Sequence, residues 1–177
     1  MTALGMILFI SSEVMFFGAL FGAYFMIRAQ HTSWPPPGSP EVDLAIPLAL
    51  TVVLLTSSVS QHRAAAAARR GERERLTRLL AVTILLGALF LIGQAIEYGR
   101  LDASIDTNAF TSLFFTITGF HGLHVAGGLV ALGLTYGRAR RGAFTRARHG
   151  SVEAVTYYWH FVDAVWLAVL SAVYLLA

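Results

Sequence analysis

Five long apolar stretches decide what this chain can fold into. Residues 44–60, 79–96 and 109–137 contain no Asp, Glu, Lys or Arg; residues 3–27 contain only Glu13, and residues 154–177 only Asp163. Together they occupy 113 of the 177 residues. Each is close to the roughly 20 residues a helix needs to cross about 30 Å of hydrocarbon. Inside a bilayer such a span must be helical, because every backbone amide then finds its partner within its own segment. A water-soluble bundle would need polar residues to coat it. Charged residues are only 13% of the chain, hydrophobic residues are 56%, and the mean hydropathy is +0.64, which leaves too little polar surface. The first stretch is too long for the hydrophobic part of a signal peptide, and no basic segment precedes it. The expected fold is therefore all-α: a single polytopic membrane domain over 1–177, a five-transmembrane-helix bundle with helices at about 3–27, 44–62, 76–98, 109–137 and 152–177. With no cysteine, disulfides, iron–sulfur clusters and thiolate metal sites are excluded.

Arginine placement sets the orientation. All thirteen basic residues are arginine, and eleven lie in two links: Arg63, Arg69, Arg70, Arg73, Arg75 and Arg78, then Arg138, Arg140, Arg141, Arg146 and Arg148. Arg28 and Arg100 alone fall in the other two links, which hold Glu41, Asp43, Asp102 and Asp106. By the positive-inside bias the N-terminus is cytoplasmic and the C-terminus outside. Topology and contact with anionic lipid account for a pI near 9.7 without nucleic acid as a partner. Five helices with no repeated half argue against an inverted-repeat transporter. The segment around Trp34-Pro35-Pro36-Pro37 suits an extended polyproline run at the outer surface. Tyr24, Tyr98 and Tyr174 outside, with Tyr136, Tyr157 and Tyr158 inside, suit interfacial aromatic belts.

Function is expected in the polar groups that a bilayer penalises. Glu13 lies ten residues beyond Ala3, about 15 Å along the first helix and so near the midplane. A lone carboxylate there is costly unless it is neutralised or partnered. Ser11, Met15, Gly18 and Gly22 form a stripe on the opposite face, with a GxxxG pair suited to close helix packing. The fourth helix carries His121 and His124 on one face, and the fifth carries Thr156, His160 and Asp163. Interhelical hydrogen bonding is one reading of these histidines, with His160 and Asp163 paired locally. Bis-histidine haem ligation, by His121 or His124 facing His160, is the other. HxxH without further ligands is a weak metal signal. Glu97, at the outer end of the third helix, is read either as solvated or as bonded to a lipid headgroup or a neighbouring helix end.

Four strings, in order, carry a family resemblance: GMILFISSEVMFFG at 5–18, QAIEY at 94–98, TGFHGLHV at 118–125 and YWHFVDAVWL at 158–167. The whole chain resembles subunit III of the haem–copper terminal oxidases, in its short five-helix form. The resemblance implies an accessory, non-catalytic subunit of a cytochrome c oxidase, with no redox cofactor of its own. It implies phospholipid bound between helices, and docking on oxidase subunit I within a complex that includes subunit II, where the haems and copper reside. It also implies support for stability and proton uptake during aerobic respiration, in a bacterial-type plasma (inner) membrane. Glu13 matches the family's carbodiimide-reactive intramembrane glutamate. Short members usually carry a cytoplasmic tail before the first helix, whereas here the first helix is expected to start almost at Met1. Subunit III of a quinol oxidase, or the related accessory protein of nitric oxide reductase, shares the pattern. A membrane haem b protein is the reading from a different class.

The orientation is testable directly. A single cysteine at Ala66 or Ala143 should react with a membrane-impermeant maleimide only from the cytoplasmic side, and labelling of either from outside would reverse the topology.

Overall fold

In the computed structural model, residues 3–40 and 42–176 are described; Glu41 of the link after the first helix and Ala177 lie outside them. The apolar stretches form α1 (Ala3–Ala29), α2 (Ala45–Arg70), α3 (Arg73–Arg100), α4 (Ala109–Arg140) and α5 (Gly150–Val169). A π-helical segment, Leu170–Leu175, continues α5. All five spans are long and apolar enough to cross a membrane, and the architecture among the described residues is all-helical.

Several helices overrun their apolar cores. α2 continues through the alanine run to Arg70, and α3 begins at Arg73. The arginine-rich link between them therefore shrinks to Gly71 and Glu72. Gly71 makes so short a turn possible: it sits at φ +73°, a left-handed conformation that only glycine adopts without strain, and it closes the end of α2. α2 and α3 are the most extensively paired helices, and Ala64, Ala65, Ala67 and Ala68 of α2 are buried, since methyl side chains allow close approach.

Helices α2, α3, α4 and α5 pack in a closed ring, each touching the next and α5 returning to α2. Trp159 of α5 fills its middle. A Cβ added to Gly87 of α3 would come 2.7 Å from the indole, and one added to Gly128 of α4 would come within 2.8 Å. The ring nitrogen donates to Ser57 Oγ of α2 at 3.0 Å. Two turns along α5, Trp166 donates to Thr51 Oγ1 of α2 at 2.8 Å and packs edge-on against Phe90 of α3.

α1 stays outside this ring, laid mainly against α5 and α4. Among its described side chains it buries only Met6, Phe17 and Tyr24, and it exposes Leu4, Leu8, Val14 and Met15. The close packing expected at Gly18 and Gly22 is not made among the described residues: a Cβ at either would meet nothing within 4 Å. The Ser11, Met15, Gly18, Gly22 stripe faces away from the bundle, because the opposite side of α1 is the one that meets α4.

The link after α1 is folded rather than an extended polyproline run. Residues 36–39 make a turn closed by Ser39 N–H donating to the Pro36 carbonyl at 3.1 Å, with Gly38 at φ +85°. Trp34 folds back to donate to Tyr24 Oη at 3.0 Å and packs on Phe110. Asn108 caps α4 and donates to Ser39 Oγ. At the opposite end, arginines close helix termini. Arg146 donates to the Arg70 carbonyl at 2.9 Å, and the Arg73 guanidinium donates to the Arg140 carbonyl. The free carbonyls ending α2 and α4 thus gain charged donors where the helix dipole favours cations.

Paired glycine substitutions separate seat from stripe. Gly128→Ala and Gly18→Ala gain the same helix propensity, so Gly128→Ala should unfold earlier by about 1–3 kcal/mol, measured by thermal denaturation in detergent. Equal midpoints would mean that Trp159 is not held tightly.

Candidate functional site

Glu13 finds its partner across the α1–α4 contact. Its Oε2 lies 2.8 Å from His124 Nε2, and the two side chains are only 19% and 17% exposed. The other ring nitrogen, Nδ1, is 2.7 Å from the Phe120 carbonyl. A carbonyl only accepts, so Nδ1 carries a proton. One further proton then lies between Nε2 and Glu13. Whether it rests as a carboxylic acid on neutral imidazole or as a carboxylate on imidazolium, the pair has no net charge. That is how α1 carries a glutamate at this depth without an isolated ion in hydrocarbon.

The surroundings hold the pair in place. Phe17 meets the imidazole edge-on at 4.9 Å, and Phe16 stacks on it at 6.1 Å. Tyr158 of α5 donates to the backbone carbonyl of His124 at 3.0 Å, which joins α5 to the same turn of α4. A groove lined by Met6, Phe9, Gly127, Ala131, Val155 and Tyr158, with a cavity of about 280 Å³, runs beside this seam. Its lining is apolar apart from the tyrosine hydroxyl, as suits a hydrocarbon chain.

The other histidines go elsewhere. His121 turns into the ring and is fully buried, between Trp166 at 5.2 Å and Phe90 at 5.7 Å. Neither of its nitrogens has a hydrogen-bond partner among the described residues, so the interhelical bond expected of His121 is not made. His160 faces α2, with Nδ1 2.6 Å from Ser58 Oγ and 3.6 Å from the Asp163 carboxylate. The three imidazoles that a bis-histidine haem site would draw on thus lie in three separate contacts. Ser58 and Asp163 address the same nitrogen of His160, so the trio lacks the relay order of a serine nucleophile, base and acid.

Glu97 is not a solvated carboxylate. It is 4% exposed, and Oε2 accepts from Gln94 Nε2 at 2.9 Å and from Tyr174 Oη at 3.0 Å. The neighbouring helix end is therefore its partner, through the π-helical segment of α5. The tyrosines at the end of the bundle away from the arginine-rich links likewise point inward. Tyr24 bonds Trp34, Tyr98 bonds Thr118 at 2.6 Å, and Tyr174 bonds Glu97. They form no headgroup belt, because each hydroxyl finds a partner within the chain.

One polar group on α2 escaped sequence reasoning. Ser57, Ser58 and Gln61 face α5, and Gln61 Nε2 donates to Thr156 Oγ1 at 2.8 Å. The run Thr56-Ser57-Ser58-Val59-Ser60-Gln61-His62 in a membrane-length helix was the available signal. Where it opens at the arginine-rich end, His62, Arg69, Glu153, Thr156, Tyr157 and His160 surround a cavity of about 160 Å³. Arg69 and Glu153 pair across it at 3.3 Å.

Comparison with known proteins places this arrangement. Residues 2–177 match the model of the family described as cytochrome c oxidase subunit III. "Cytochrome c oxidase subunit 3" of Synechocystis sp. is 40% identical over 173 residues, covering 97% of this chain and 74% of that protein. "Probable cytochrome c oxidase subunit 3" of Mycobacterium tuberculosis is 43% identical over 178 residues, covering 98% of this chain and 87% of that protein. Its counterpart in Nocardia farcinica is 41% identical over the same span.

A mutant cycle tests the pairing. His124→Leu strands the Glu13 carboxyl and should cost about 1–3 kcal/mol. Glu13→Leu combined with His124→Leu removes both polar groups and should recover most of that loss in thermal unfolding. Additive losses would mean that the two side chains do not interact.

Proposed function

The chain belongs to the cytochrome c oxidase subunit III family, and from that premise we propose that it is the accessory subunit of an aerobic respiratory cytochrome c oxidase. The family match over nearly the whole chain carries this reading. An integral membrane protein of this kind works in a complex with the other oxidase subunits. Subunit I, together with subunit II, is the proposed partner, in a bacterial-type inner membrane with the arginine-rich links on the cytoplasmic side. The haems and copper belong to those partners. This subunit contributes no catalytic residue and binds no haem or metal of its own; each of its intramembrane histidines has a packing or hydrogen-bonding environment that needs no metal.

The role proposed for it is support of the catalytic subunit: stability, retained phospholipid and sustained proton uptake. Bound phospholipid is supported by the apolar groove beside Tyr158 and by inner arginines suited to anionic headgroups. The Glu13–His124 pair bears on proton uptake. Within the pair the shared proton can pass between Glu13 and His124 without creating net charge, whereas its loss from the pair leaves a negative charge at that depth, so release has to be coupled to a proton or cation from outside the chain. Glu13 is also the carboxyl that a hydrophobic carbodiimide should reach, with Glu72 and Glu74 at the solvated end largely spared.

Glu13→Gln keeps shape and a hydrogen-bonding group but cannot ionise; Glu13→Ala removes both. In the assembled oxidase both variants should start at the wild-type rate and lose activity sooner during continuous turnover. Gln behaving as wild type while Ala does not would assign Glu13 a hydrogen-bonding role alone. Unchanged turnover lifetime in both would remove Glu13 from the function.

A further inference from the structure

At the end of the bundle away from the arginine-rich links, Val42, Asp43, Ile46, Glu97, Arg100 and Leu101 enclose a cavity of about 90 Å³. It is large enough for a few water-sized groups. Glu97 reaches it from a buried position. Its Oε2 is occupied by Gln94 and Tyr174, whereas Oε1 is buried and has no hydrogen-bond partner among the described residues. Asp43 lines the same space; its Oδ1 accepts the Ala45 N–H at 2.9 Å, at the start of α2. Arg100, one turn beyond Glu97, lines it too and pairs with no carboxylate among the described residues. Two carboxylates and one guanidinium thus share a small, partly apolar cavity at the edge of the hydrocarbon.

A buried carboxylate oxygen without a donor is expensive, and a second carboxylate nearby raises the cost when both are charged. A group that is both cationic and an N–H donor answers both problems. We propose that this cavity binds the primary ammonium of an ethanolamine phospholipid, held between Glu97 and Asp43, with the lipid phosphate on Arg100. Charges then alternate from carboxylates to ammonium to phosphate to guanidinium. Val42, Ile46 and Leu101 cover the methylenes between ammonium and phosphate. A choline headgroup fits less well, because its quaternary nitrogen has no N–H to give Glu97 Oε1. Glycerol headgroups carry no cation at all. A bare metal cation would satisfy the carboxylates but leave Arg100 with nothing to bind. The site rests on the membrane-spanning fold alone and is independent of the oxidase assignment.

The test uses the purified, intact membrane complex, incubated with equimolar phosphatidylethanolamine, phosphatidylcholine and phosphatidylglycerol of identical acyl chains. Retained lipid is then read by native mass spectrometry. Ethanolamine lipid should be enriched roughly tenfold over choline lipid, the factor expected of one charge-assisted hydrogen bond. Glu97→Gln should abolish the preference. Because Glu97 also holds Tyr174, Asp43→Asn and Arg100→Gln, both at exposed positions, provide variants that leave the helix packing intact, and each should reduce the preference. Equal retention of ethanolamine and choline lipid by the wild-type complex would overturn the proposal. So would an undiminished preference in both exposed variants, or displacement of the ethanolamine lipid by millimolar magnesium in wild type and Arg100→Gln alike, which marks a bare cation site.

Discussion

The fold depends on Trp159 being seated between two glycines. In a bilayer, lipid tails are as apolar as any leucine, so helices gain little from hiding apolar surface from one another. They associate through close packing and through hydrogen bonds that lipid cannot supply. Trp159 combines both: its ring occupies the space left by the missing side chains of Gly87 and Gly128, and its N–H reaches Ser57. It therefore touches α3, α4 and α2 from α5. Trp166 repeats the arrangement two turns along, on Thr51 and Phe90. Two indoles on one face of α5, each locked to an α2 hydroxyl, fix the rotation and height of α5 against the other three helices.

A consequence is that α1 has no seat inside. Its attachment relies on a shallow apolar contact and one polar pair, Glu13 with His124. That pair is well suited to an outer helix. It is specific in position, because Nδ1 is already committed to Phe120 and only Nε2 can meet Glu13. It is neutral overall, so it does not prevent α1 from facing lipid or a partner on its other side. Tyr158, next to the Trp159 plug, bonds the carbonyl of His124. The turn that receives Glu13 is thus braced by the same part of α5 that holds the ring together, and a shift of α1 would be felt there. The outward stripe of Ser11, Met15, Gly18 and Gly22 remains smooth and unfilled.

Much of this was legible in the sequence, for a physical reason. The bilayer dictates length, apolarity and helicity together, so five spans could be read from Glu13, Asp163 and the gaps between arginines. The ends of the helices were legible only in part: the five alanines between Arg63 and Arg69 signal that α2 runs on past its apolar core, as it does to Arg70, but hydropathy does not register the left-handed Gly71 that stops it. Glu13 was visible as an anomaly, but its partner was not. His121 and His124 lie three residues apart on one face, and only the packing shows that one turns into the ring and the other toward α1. The outer tyrosines were misread as a belt because composition shows where a tyrosine lies along a helix but not toward what it points. The Pro-rich link likewise folds back, since Trp34 has Tyr24 and Phe110 to bury against.

The two ends of the bundle solve the same problem with opposite chemistry. At the arginine-rich end, helix carbonyls are left over, and Arg146 and Arg73 supply donors to Arg70 and Arg140 across the two links. These arginines serve as staples, so reversing their charge would disturb folding. At the opposite end the excess is of acceptors that no side chain fully satisfies: Gln94 Oε1 and Glu97 Oε1 remain without partners among the described residues. Glu97 is nevertheless held rigidly, because Tyr174 and Gln94 converge on its other oxygen. The π-helical turn from Leu170 to Leu175 is the segment that carries Tyr174, and a fixed carboxylate with one buried, unpartnered oxygen results. The helix carbonyls at one end are therefore capped by the chain's own arginines, although Gln61 Oε1 and His149 Nδ1 toward that end also lack partners among the described residues, while at the other end the unpartnered atoms are both acceptors, Gln94 Oε1 and Glu97 Oε1.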